Sequence, residues 1–167
     1  MSATHAPKIL ILGYGNPGRG DDALGPEFIA QLELLAAIDP LFPRLNLTLL
    51  TDFQLQVEHV LDLQNQDLVL LVDAHLSTAP PFLFERVNPD PVASFSTHWV
   101  SPGTLLKVFQ DLHGTSPPTY LLGIRGYQYE LGEPLSANAE EHLKNALEWV
   151  LGLLNRPKSA IWDTLLN

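Results

Sequence analysis

Residues 67–73 read Asp-Leu-Val-Leu-Leu-Val-Asp, and residues 8–13 read Lys-Ile-Leu-Ile-Leu-Gly. Neither run alternates polar with apolar side chains, as a strand with one wet face would. Each therefore reads as a strand covered on both faces, the condition met in a parallel sheet with helices above and below. Outward from this pair, strands and helices take turns. Leu24, Phe28, Leu32 and Leu35 recur at helical spacing, with Pro26 suited to the first helical position. Pro40 and Pro43 close that segment, predicting a helix to about Ile38. Leu45–Leu50 predicts a second strand, Gln54–Leu63 a short amphipathic helix, and the alternating Phe82–Val87 a strand at the sheet edge. A helix starting near Pro102, with Leu105, Leu106 and Phe109 on its buried side, precedes a strand over Thr119–Ile124. Ser136 is the expected N-cap of a last helix buried through Leu143, Leu147, Val150 and Leu154. The pattern predicts an α/β three-layer sandwich, a mostly parallel twisted sheet of about five strands with helices on both faces. Residues 1–155 form one domain in this reading, and residues 156–167 a loosely held tail.

Composition narrows the function classes. Nine basic and nineteen acidic side chains leave a formal net charge of −10, which repels a phosphate backbone and speaks against a nucleic-acid partner. An acidic surface suits a metal cation or a basic protein instead. The absence of cysteine excludes disulfides and thiolate metal sites. The N-terminal stretch lacks the pattern of a secretory signal, and no apolar run approaches the ~20 residues that cross a bilayer. The expectation is a cytoplasmic protein with no membrane partner, and a monomer.

Gly13, Gly15 and Gly18 match the G-x-G-x-x-G pattern directly after a strand, as in a dinucleotide fold. The chemistry disagrees. That pattern places a pyrophosphate at a helix N-terminus, where this chain carries Asp21 and Asp22. Pro17 also removes one N–H from the loop, and the helix begins well beyond Gly18. Gly15-Asn16-Pro17-Gly18 resembles the opening of peptidyl-tRNA hydrolases, but the continuation Arg19-Gly20-Asp21-Asp22 lacks that family's histidine. There is no H-E-x-x-H and no G-x-S-x-G.

Four pieces in order resemble the hydrogenase maturation proteases. They are Gly13-Tyr14-Gly15-Asn16 with Asp21-Asp22 and Gly25; Val72-Asp73-Ala74 ending a central strand; Ser96-Thr97-His98 before a helix at Pro102; and Leu122-Gly123-Ile124 followed by Glu130-Leu131-Gly132 and Leu135-Ser136. The resemblance spans about residues 8–152 and implies a phosphorylase/hydrolase-like fold. It further implies an endopeptidase that removes the C-terminal extension of the nickel–iron hydrogenase large-subunit precursor after nickel insertion. By this likeness Asp22, Asp73 and His98 are the catalytic and metal-contacting residues. The cation they read is nickel supplied by the substrate, and other divalent cations suit the same donors. Asp22 stands where the family often carries glutamate. Asn16, Asp52, Phe53 and Gln54 are expected to contact substrate, with Asp21 and His75 supporting the site from behind.

The residues support the same trio by position. Loops at the carboxyl ends of parallel strands converge on one crevice. Asp22 follows the first strand, Asp73 ends the most apolar one, and His98 leads into a helix. Two carboxylates and one imidazole leave coordination positions open, as a reactive metal site requires. Plain alternatives exist for each. Asp22 can neutralise a helix end, Asp73 can be a hydrogen-bonded buried acid, and Asp52-Phe53 can form a turn with Phe53 packed inward. His59 reads as solvated on a polar helix face. Two other functions remain open from the sequence: a nickel-binding assembly factor without hydrolysis, and a peptidyl-tRNA-hydrolase-like enzyme.

Overall fold

The computed structural model of the protein describes residues 6–91 and 100–167. Its centre is the pair that the apolar runs predicted. Strand β1 (Lys8–Tyr14) lies parallel to β3 (Leu68–His75), with Ile9 opposite Leu68 and Gly13 opposite Val72. Strand β2 (Asn46–Asp52) adds in parallel on the other side of β1, and β5 (Thr119–Arg125) in parallel on the other side of β3. The expected edge strand, β4 (Phe82–Arg86), pairs antiparallel with β5 and completes a five-stranded sheet of order β2-β1-β3-β5-β4.

Alternation along each strand sends successive side chains to opposite faces. Ile9, Ile11, Leu70, Val72 and Leu122 face helices α1 (Leu24–Ala36) and α3 (Ala137–Leu154). Leu10, Leu12, Tyr14, Val69 and Leu71 face helix α2 (Pro102–His113). The result is the predicted three layers. Ser136 caps α3 by accepting from the Ala139 N–H, and Ser101 caps α2 by accepting from the Thr104 N–H. Helix α1 starts two residues before Pro26, preceded by a 3₁₀ turn over Gly20–Ala23. Its start presses directly on the strands. A Cβ at Gly25 would stand 2.6 Å from the Tyr14 nitrogen and 2.7 Å from the Val72 oxygen, so only glycine allows the approach.

Two expectations are corrected. The segment over Gln54–Leu63 is no α-helix but a 3₁₀ turn at Val57–Val60 with flanking turns. Leu55, Val60 and Leu63 still face the core, but the N–H groups of His59, Leu61 and Asp62 bond three residues back rather than four. The tail is not loose either. A short helix α4 (Ser159–Trp162) buries Trp162 completely between α3 and the sheet, with its ring 5.1 Å from that of Tyr120. Tyr120 donates to Asp163 at 2.8 Å, and Arg86 also donates to Asp163, at 2.7 Å. Asn167 exchanges hydrogen bonds with the backbone of Phe84 on the edge strand. The sequence signal of a weak pattern over 156–167 missed a single large anchor. Trp162→Ala should therefore lower unfolding free energy by about 3–5 kcal/mol, read by urea denaturation.

Candidate active site

The parallel strands β1, β2, β3 and β5 all end at one edge of the sheet. The chain leaves β1 for β2 on one side, while β3 lies on the other, so the switch point of the sheet, where open α/β folds bind their ligands, lies between the ends of β1 and β3. Asp73 lies one residue past the last β1–β3 pair, in register with Gly123 of β5. It shares the α2 face with Tyr14, because 69, 71 and 73 alternate together, as do 10, 12 and 14.

Asp73 is half-buried and accepts from its neighbour, the Ala74 N–H, at 2.8 Å. Burial pushes its carboxyl up to about 7, the Asp22 charge adds to the rise, and the Ala74 N–H and the Tyr14 hydroxyl oppose it. Tyr14 is buried at the end of β1, with its phenol within reach of Asp73. Burial first, and then the Asp73 charge, hold the phenol well above its ordinary value.

Asp22 approaches from the opposite side of the sheet, in the 3₁₀ turn that leads into α1. Its carboxylate accepts from the Asn16 N–H at 3.0 Å, and the Asn16 side chain accepts from the Gly18 N–H at 2.9 Å. Gly15 makes this hairpin of chain possible. Its φ is +142°, and a Cβ there would lie 2.0 Å from the Asp22 carbonyl oxygen. Asp22 thus lies within electrostatic reach of Asp73, while His98 lies outside the described residues. Among the described residues, no group of three or more His, Asp or Glu side chains is arranged to hold a metal ion.

Asp21 has a different fate from its neighbour. It is fully buried and accepts from the Ser136 N–H and hydroxyl, each at 2.7 Å, and from the N–H groups of Tyr127 at 2.7 Å and Gln128 at 3.1 Å. Burial pushes its carboxyl up, but the donors from Ser136, Tyr127 and Gln128 outweigh this and hold it below 3.8. The residue ties the loop after β1 to the loop after β5. The backbone bonds Gly20 N–H to Glu133 and Gly132 N–H to Gly18 extend the same seam.

His75 follows Asp73 on the same face, but its Nδ1 accepts from the N–H groups of Ser77 at 3.2 Å and Thr78 at 3.0 Å. It closes the turn after β3. Asp52 likewise turns inward, accepting from the Phe53 N–H at 2.6 Å and the Gln56 side chain at 3.0 Å, and pairing with His59 at 3.2 Å. His59 is therefore buried rather than solvated, its Nδ1 accepting from the Gln56 N–H. Phe53 is 65% exposed, against the reading that packed it inward, and Gln54 is exposed beside it. Tyr14, Arg125 and Tyr129 were missed by sequence reasoning. The alternation Leu10, Leu12, Tyr14 was the available signal for the first, and the position two past Gly123 for the second.

Two carboxylates of this kind can coordinate a hard or borderline cation, and the one raised to about 7 can exchange a proton near neutrality. Because the folded Asp73 carboxyl titrates at about 7 and the ordinary value is 3.8, the native state holds a proton that the unfolded chain has released. The cost of ionising it is absent below about pH 4, grows through the interval and is complete above pH 7. Asp73→Asn should stabilise the metal-free protein by about 2 kcal/mol at pH 8 and not at pH 4, measured by denaturation at both values. Asp21→Ala should instead destabilise by about 3 kcal/mol, since it removes a fully buried acceptor of three N–H groups and a hydroxyl, again read by urea denaturation.

No family model matches the chain. In sequence it is 25% identical over 158 residues to a protein of Methanocaldococcus jannaschii named "Putative hydrogenase maturation protease", covering 89% of this chain and 97% of that one. In structure it is similar to the [NiFe] hydrogenase maturation protease HycI of Thermococcus kodakarensis, with a TM-score of 0.68, 23% identity, and coverage of 92% of this chain and 96% of the other. It is also similar to the hydrogenase maturating endopeptidase HybD of E. coli, with a TM-score of 0.67, 24% identity and coverage of 90% and 93%. The structural likenesses establish a shared fold. The family that the sequence resembles is thus also that of the curated relative and of these solved structures.

Proposed function

We propose that this chain is a hydrogenase maturation endopeptidase, which removes the C-terminal extension of a nickel–iron hydrogenase large-subunit precursor once nickel is in place. The observation that supports the reading is that the Asp22 charge acts on the Asp73 carboxyl, 51 positions away in the chain, at the switch point of a sheet like that of the maturation proteases. Asp22, Asp73 and His98 would grip the nickel that the precursor brings. A cation so held polarises the scissile carbonyl or activates a water. One of the two carboxylates would take the water's proton and return it to the leaving amine.

In this mechanism the metal is part of the substrate, and it doubles as the proof that assembly is complete. A precursor without nickel offers the acidic crevice no anchor. The excess of acidic side chains favours a cation-bearing partner and disfavours nucleic acid. No helix among the described residues is long and apolar enough to cross a membrane, and we place the reaction in the cytoplasm, with the protein acting as a monomer.

Purified protein should shorten nickel-loaded precursor and leave nickel-free precursor intact, as read by mass spectrometry of the large subunit. Equal cutting of both would rule out metal reading. Asp73→Ala and His98→Ala should each reduce processing by about 10³-fold or more with the fold retained. Retained activity in both would put the reaction at another site.

A further inference from the structure

The carboxyl end of β5 carries a cation that the acidic crevice does not neutralise. Arg125 stands in register with His75, two residues beyond the Asp73–Gly123 pair and on the same face of the sheet. Two residues of strand place it about 7 Å further out than Asp73. Its guanidinium is fixed from two sides. One Nη donates to the Thr78 carbonyl at 3.0 Å, and the group lies over the Tyr127 ring at 5.0 Å from its centroid. Among the described residues its buried Nε has no hydrogen-bond partner, and no salt bridge includes it.

This arrangement is unusual in a chain with nineteen acids and nine bases. A half-buried, oriented guanidinium ordinarily meets a carboxylate, because desolvating it without one costs free energy. The surroundings tie it to the crevice. The buried Tyr129 hydroxyl, which also lacks a partner among the described residues, is pushed up to about 12 by burial and then by Asp21, Asp73 and Asp22, while Arg125 pulls the other way. Arg125 therefore sits within electrostatic reach of the same space as the two candidate ligands.

We propose that Arg125 is a specificity-determining residue that binds a carboxylate of the substrate polypeptide within about three residues of the bond that is cut. This rests on the endopeptidase reading. The carboxylate is either an Asp or Glu side chain or the free α-carboxyl of a short extension, and either can accept from the other Nη group, since one Nη is engaged by the Thr78 carbonyl and the Nε is buried. The interaction places the chain so that the carbonyl to be attacked reaches the crevice between Asp22 and Asp73. It is a binding contact, and it takes no part in proton transfer.

The test is steady-state cleavage of nickel-loaded precursor by the wild-type, Arg125→Lys and Arg125→Gln proteins. Three precursors are needed: the native one, one with the acidic residues next to the cut changed to Asn or Gln, and one ligated to carry a C-terminal amide. Arg125→Gln should raise KM on the native precursor about tenfold or more with kcat changed less than about threefold, and Arg125→Lys should fall between. One of the two altered precursors should show the same rise with wild type and no further rise with Arg125→Gln, which identifies the carboxylate. A merely structural role, holding the Thr78 turn, predicts equal losses on all three precursors. That result, or an unchanged KM, overturns the proposal and leaves the endopeptidase reading standing. A wild-type protein that cuts none of the three overturns that reading and this one with it.

Discussion

The buried Asp21 carboxylate is the interaction on which the rest of the site depends. It gathers three backbone N–H groups and a hydroxyl from the loop that follows β5, and it reaches them from the loop that follows β1. Those loops spring from strands separated by β3, so neither contacts the other through the sheet ladder. With them joined, the 3₁₀ turn that bears Asp22 cannot drift from the end of β3, where Asp73 waits. One carboxylate is fully used in building the wall, and the next in the chain is left facing the crevice.

The contrast between Asp21 and Asp73 shows how the same group acquires opposite properties. Both are shielded from water, which disfavours charge. Asp21 receives enough donors to remain ionised below its ordinary range. Asp73 receives a single backbone N–H while another acid acts on it, and its carboxyl rises to about 7. The first arrangement stabilises the fold; the second stores an unfavourable charge that a cation would relieve.

The distribution of faces gives the crevice its sides. Asp73, Tyr14, His75 and Arg125 arrive on the α2 face through strand alternation, whereas Asp22 comes over the edge from the layer of α1. Glycine governs the closeness of the approach. Gly25 lets the start of α1 lie against β1 and β3, and Gly15 folds the loop back on Asp22. The glycine pattern that resembles a phosphate loop thus serves close backbone packing, at a helix end where acids exclude phosphate.

The sequence by itself determined the layer architecture. Unbroken apolar runs such as Leu68–Val72 can exist only where both faces are covered, and that condition admits few folds. It also determined that Asp22 and Asp73 end up at the same edge, because they follow parallel strands. Tertiary structure alone decided which of the adjacent Asp21 and Asp22 is sealed, since the donors that claim Asp21 lie more than a hundred residues away. It alone decided that His59 is buried against Asp52, that Trp162 anchors the final segment, and that Arg125 is held by the Thr78 carbonyl and the Tyr127 ring. Periodicity reports which face a side chain takes. The partner it meets there is set by contacts between distant segments, and no local pattern carries that information.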